Sequence, residues 1–311
     1  MTKVLVALFA SVSLVRFAMP ASAEMPPPLP RSDSVATAGA LKVQSYGQTG
    51  RPAIVFIAGY ALGPWEFSRE IAAYSANYSV YAITIPGFDG TNDNQSPHVQ
   101  TFASDFWAFL SAQKVDKPIV IGHGLGGELA LLLAEQHSDL LRAVVSIDGP
   151  PIIPGEEHET PSQRAGDAKN TAVAIGMFGN ARDFADASAA YTLPNQVESS
   201  KDIDPIARII AHDGIDIGAA ASWFEEDMTM DLRGDLSKIT VPVLMIAPYD
   251  TATDGKQWAT PDAKKAYYQS LLTGDATANV EIVAPARHFI MLDQPQLLDQ
   301  DLDAFVKAKS T

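Results

Sequence analysis

No cysteine occurs among the 311 residues. That excludes a thiol nucleophile, a thiolate metal site and a disulfide framework. Basic residues are scarce: Lys and Arg number 22 against 37 Asp and Glu, a formal charge of -15. A surface of that sign repels nucleic acid and anionic membranes. Metal-binding patterns are also lacking. There is no His-Glu-x-x-His. Adjacent residues such as Glu156-Glu157-His158-Glu159 do not face one point, so they read as a solvated loop. Neither a metal nor an organic cofactor is expected. No internal repeat is present, and after the N-terminal stretch no apolar run is long enough to span a bilayer.

The N-terminal stretch itself has the pattern of an export signal. Lys3 supplies a positive start, Val4 to Val15 an apolar run, and Ala21-Ser22-Ala23 a small-residue cleavage site. A signal peptide over residues 1–23 is expected, with a periplasmic or secreted product that has no membrane contact after processing. Residues 24–40 hold Pro26, Pro27, Pro28 and Pro30 and read as a flexible leader.

Beyond position 40 the patterning alternates. Short apolar runs at Leu41–Tyr46, Ala53–Ile57, Tyr78–Ile85, Pro118–Ile121, Arg142–Ile147, Val241–Ala247 and Asn279–Val283 read as strands. Helical patterns separate most of them. This rhythm predicts a mostly parallel central sheet flanked by helices. It breaks at 151–235, where polar, Ala-rich helical stretches hold no convincing strand. That segment reads as a helical cap inserted into a core made of 41–150 and 236–311.

The densest signal is Gly122-His123-Gly124-Leu125-Gly126-Gly127 after the buried run at 118–121. A strand enters a helix through closely spaced glycines. The spacing Gly122, Gly124, Gly127 also fits a dinucleotide loop, with Asp148 at the right distance for a ribose. However, such a loop belongs to the first strand of its fold, and three strands precede this one. The segment resembles the nucleophile elbow of the α/β-hydrolase superfamily at every position except one. Glycine, Gly124, stands where that family carries its nucleophilic serine. The resemblance extends over residues 41–308, is weakest in the cap, and in "RHFIMLDQP" (residues 287–295) is close to secreted bacterial serine esterases and lactonases.

The family resemblance implies roles for further residues. Ile57-Ala-Gly-Tyr-Ala-Leu-Gly-Pro-Trp65 resembles its oxyanion loop, with Ala58 in place of the usual histidine. Backbone N–H groups near Tyr60 or Ala61, together with Leu125, would form the oxyanion hole, and such donors need no particular side chain. Ile85-Pro-Gly-Phe-Asp-Gly90 resembles the family's turn after the following strand. His288 occupies the position of the general base. The orienting acid is either Asp148 or Asp250, each at the end of a predicted strand. Trp223 and Phe224, near the end of the cap segment, either line an acyl pocket or pack the cap on the core.

A parent enzyme of this type would hydrolyse a carboxylic ester, lactone or similar acyl bond of a small molecule. Gly124 removes the oxygen that His288 would deprotonate. Ser138 and Ser146 are too remote along the chain to replace it, and elbow geometry points His123 sideways into the core. Three readings stand: a hydrolase crippled by a serine-to-glycine change, a non-catalytic ligand-binding relative, and a slow hydrolase in which His288 activates water.

Overall fold

The computed structural model describes residues 25–92 and 96–310. The expected signal segment, 1–23, lies outside the described residues. Part of the expected leader is ordered differently from the sequence reading. Ser34–Ala38 form strand β1, which pairs antiparallel with β2 (Leu41–Tyr46). Proline density ends at Pro30, and β1 itself carries the β-branched Val35 and Thr37, which pair readily once a neighbouring strand offers an edge.

Chain order then runs β3 (Ala53–Ile57), α1 (Ser68–Tyr74), β4 (Ser79–Thr84), α2 (His98–Gln113), β5 (Ile119–His123), α3 (Leu125–His137) and β6 (Ala143–Ile147). Five α-helices follow: α4 (Pro161–Gly176), α5 (Ala181–Ala187), α6 (Leu193–Gln196), α7 (Ser200–Asp213) and α8 (Ile217–Thr229). The chain returns to the sheet with β7 (Val243–Pro248), α9 (Thr251–Asp254), α10 (Pro261–Leu271), β8 (Ala278–Val283), α11 (Ile290–Asp293) and α12 (Pro295–Lys309). The eight strands form one sheet in the order β1-β2-β4-β3-β5-β6-β7-β8. From β4 to β8 every neighbouring pair is parallel, whereas β2 pairs antiparallel with β4.

The sequence explains which strands are central. β3 (AIVFI), β5 and β6 (AVVSI) are buried at every position, as strands covered by helices on both faces require. The outer strand β8 is buried only at intervals. Each fully buried Val, Ile or Leu contributes about 1.5–3 kcal/mol. α3 follows the same logic. Its residues are apolar on several sides, and ten of its thirteen positions are buried.

The cap helices are built by local capping. Thr160 and Gln163 make a reciprocal capping box at the start of α4, and Asn180 and Asp216 accept the first-turn amides of α5 and α8. α8 is docked by Trp223, which is fully buried, donates its indole N–H to the Pro86 carbonyl at 2.9 Å, and packs against His98 and Phe102. The parallel strands all point one way, so the loops after β3, β5, β6 and β8 gather at one edge beneath these helices.

Candidate active site

The turn after β5 is set by steric necessity. A Cβ at Gly122 would run into the Gly126 carbonyl, and one at Gly126 into the Ile57 carbonyl. Both positions therefore need glycine for the close approach of strand and helix. Between them Gly124 takes φ 50 and ψ -122, and its N–H donates to the Ile147 carbonyl at 2.9 Å. This is the backbone that an L-residue adopts only under strain. Ala61 (φ 60) and Asp148 (φ 47) share that positive-φ character. Three loops meeting at one place each carry a residue with positive φ, strained at Ala61 and Asp148 and eased by glycine at 124.

His288 faces Gly124. An ideal Cβ on Gly124 would lie 3.1 Å from the His288 Cε1 and 3.3 Å from its Nε2. On its other side, the His288 Nδ1 is 2.7 Å from an Asp148 carboxylate oxygen. Asp148 also accepts from the Tyr268 hydroxyl at 3.1 Å. Burial pushes the Asp148 carboxyl up, but the hydrogen bond and charge of His288, with Lys264 and His123 nearby, hold it below its ordinary value. An ionised Asp148 fixes the Nδ1–H tautomer of His288 and leaves Nε2 free to take a proton from a group at position 124.

Asp250 is not part of that pair. Its carboxylate caps α9 through the Ala252 N–H at 2.6 Å and accepts from the Arg287 guanidinium at 2.9 Å. Arg287 spends its other nitrogen on the carbonyls of Pro194 and Val197. Asp293 takes the backbone N–H groups of Arg287 and Glu198. Asp250 and Asp293 thus tie the loop before His288 to the cap.

Tyr60 and Ala61 border the same space as His288, and Leu125 begins α3. The first amides of a helix have no intrahelical acceptor, so Leu125 offers an N–H there. Above lies a cavity of about 470 Å³. Apolar side chains dominate its wall, among them Ile175, Phe178, Phe184, Leu193, Ile210 and Phe224. Phe224 lies in that wall. Trp223 does not, which corrects its assignment as a substrate contact: neighbouring helical residues point about 100° apart, and Trp223 faces the core. No Lys, Arg, Asp or Glu lines the cavity, and His288 is its one ionisable side chain outside the tyrosines.

Sequence reasoning missed Tyr268, the Arg287–Asp250 bond and the pair Glu66–His123 beneath the site. A buried polar residue inside an apolar pattern, as at Glu66, is a signal that a partner exists, though not which one. Among the described residues, no group of three or more His, Asp or Glu side chains is placed to hold a metal.

The chain as a whole is similar to several known proteins. The chain matches a probable alcohol acetyltransferase of Wickerhamomyces anomalus at 31% identity over 83 residues, 27% of this chain and only 24% of that one. A longer match, 23% identical over 279 residues, links 86% of this chain to 93% of 3-oxoadipate enol-lactonase 2 of Acinetobacter baylyi. The crystal structure of an enol-lactonase from Burkholderia xenovorans LB400 superposes with a TM-score of 0.69 at 20% identity, covering 88% of this chain and all (100%) of that one. At that identity the superposition speaks for the fold alone. The sequence profile described as Alpha/beta hydrolase family matches residues 54–300, most of the chain, and the protein belongs to that family.

Proposed function

We propose that this chain is an exported acyl hydrolase by construction, shaped for a small ester or lactone and disabled at its nucleophile by Gly124. One observation carries the reading. The His288–Asp148 pair faces a residue that holds strained elbow backbone, with no side chain to deprotonate. With serine at 124, its hydroxyl would attack the carbonyl and pass its proton to His288. The alcohol would leave with that proton, and water would then release the acid. The amides of Leu125 and of Tyr60 or Ala61 would hold the oxyanion.

As the chain stands, the direct route uses water. Its oxygen attacks the carbonyl, His288 takes its proton, and the departing alkoxide receives that proton. Oxyanion stabilisation and binding alone retain about 10³–10⁴-fold catalysis over water in a triad enzyme stripped of triad members. The apolar wall favours an uncharged acyl group. A 3-oxoadipate-type lactone carries a free carboxylate, and no cation lines this cavity to receive it.

The cavity also supports a second reading, a ligand-binding protein without turnover. Hydrolysis of short p-nitrophenyl esters and labelling by a fluorophosphonate separate the two. The first reading expects Gly124→Ser to gain at least tenfold in hydrolysis and to label at position 124. Silence of that folded variant across acyl lengths, together with saturable binding by the chain as it stands, would leave the second.

A further inference from the structure

A buried carboxylate–imidazole pair that the hydrolytic scheme does not use lies against His288. His123, the last residue of β5, and Glu66, from the turn before α1, both have fully buried side chains. The His123 Nδ1 is 2.8 Å from Glu66 Oε2, and its Nε2 is 3.1 Å from the His288 carbonyl oxygen. The second Glu66 oxygen accepts the Gly59 N–H at 2.7 Å. The His123 and His288 rings lie 4.3 Å apart between centroids, tilted by 39°. One pair therefore touches three of the four loops of the site: Gly59 leads into Tyr60 and Ala61, His123 precedes Gly124, and the His288 carbonyl belongs to the base itself.

Donor counting narrows the proton arrangement to two states. The His288 carbonyl can only accept, so His123 Nε2 carries hydrogen. The remaining proton lies between Nδ1 and Oε2. If it is on the ring, the pair is imidazolium and carboxylate; if it is on Glu66, both are neutral. Imidazole is more basic than a carboxylate by about 2 units, which favours the ring. Burial opposes charge on His123, but Glu66, the negative Asp148 and the His288 carbonyl together hold it above its ordinary value. The groups around His123 are then Glu66 from its own side of the sheet, Asp148 after β6, and His288 with the Phe289 ring after β8.

We propose that Glu66 and His123 form a buried ion pair, and that this pair is a positioning clamp that holds three of the four loops of the site together and sets the positive imidazolium beside Asp148. The clamp does not touch substrate. It acts through the His288 backbone and by favouring the ionised form of Asp148, for which His123 is one of the stabilising charges. The charge state does not depend on what the site hydrolyses, nor on whether Gly124→Ser reacts.

Glu66→Gln isolates the charge. The amide oxygen can still accept from Gly59 and the amide N–H₂ can donate to Nδ1, so each hydrogen bond survives while His123 becomes neutral. The experiment uses ¹⁵N-histidine-labelled full chain and long-range ¹H–¹⁵N spectra between pH 5.5 and 9. His123 is identified by difference, after single substitutions at His98, His137, His158, His212 and His288. The parent is expected to show both His123 nitrogens protonated at the acid end of the range and to keep the second proton to a higher pH than an ordinary imidazole, and Glu66→Gln to show only Nε2 protonated. A second readout is the proton in the Asp148–His288 hydrogen bond, followed to lower pH. Its loss should move to higher pH in Glu66→Gln, because the imidazolium that lies beside Asp148 loses its charge together with the Glu66 carboxylate on its far side. A neutral His123 in the parent would overturn the charge assignment, and needs no variant. An unchanged Asp148–His288 signal in folded Glu66→Gln would overturn the clamp.

Discussion

Position 124 sets two demands against each other. Its backbone, at φ 50 and ψ -122, suits glycine and strains any L-residue. A side chain there would also press on the His288 ring, which stands 3.1 Å from the Cβ site and would shift by a few tenths of an ångström. Gly124→Ser is therefore expected to lose about 1–3 kcal/mol of stability while gaining reactivity. Urea unfolding of both chains measures the loss; equal midpoints would show that the turn relaxes without strain. The same scale separates the two acids. In the Gly124→Ser background, Asp148→Asn should lower kcat by about 10⁴, because His288 loses the partner that fixes its tautomer. Asp250→Ala should act differently. It frees Arg287 from its 2.9 Å bond and loosens the His288 loop from the cap, which lowers melting temperature more than kcat. The opposite pattern in steady-state kinetics would reassign the orienting acid.

At the scale of elements, the docking of α8 decides the shape of the site. Trp223 anchors that helix to the turn after β4, so Trp223→Ala removes an indole, its bond to Pro86 and much buried area. It should cost about 3–5 kcal/mol, read by denaturant unfolding. A second link joins the same helix to α3. Glu128, in the first turn behind Gly124, meets Asp227 of α8 with Glu156 nearby. Burial, and then the Asp227 charge, push Glu128 well above the usual carboxylate range. Burial first, with Glu156, pushes Asp227 up to about 6. Both folded values are raised above their unfolded ones. Their contribution is complete below the unfolded carboxylate values of about 4 and is lost as pH rises through about 6 and beyond. Melting temperature should therefore fall from pH 5 to pH 9, and Glu128→Gln should flatten that slope. A parent profile already flat over this range would contradict the raised values of these two carboxyls.

The whole molecule concentrates strain and chemistry at one sheet edge. Parallel strands deliver Ala61, Gly124, Asp148 and His288 from four separate loops, and the cap closes an apolar cavity over them. Formal charge of -15 and a cavity wall without cations both disfavour an anionic ligand. A hexanoyl ester should bind about 100-fold tighter than the same ester whose acyl chain ends in a carboxylate, since the buried carboxylate would lack a partner. Calorimetry on the chain as it stands measures both, and equal affinities would place the ligand outside this cavity.

Much of this was legible in the sequence because it is local. Buried strands such as AIVFI, the strand-to-helix step at 118–127 and the position of His288 after β8 each depend on a few consecutive residues. Local pattern also fixed Gly122 and Gly126 as sites of close approach. What remained open depended on residues far apart in the chain. Asp148 and Asp250 end adjacent strands at the same edge, and only the Asp148 turn (φ 47) together with Arg287 on Asp250 decides which carboxylate reaches His288. Trp223 and Phe224 are neighbours whose exchange of core and cavity depends on how α8 rotates onto the sheet. Strand β1 needed an edge to pair with, which prolines at 26–30 concealed. Glu66 and His123 lie 57 residues apart, and their meeting follows from β3 and β5 being neighbours. Periodicity and spacing set which elements form; packing of those elements set which side chains meet.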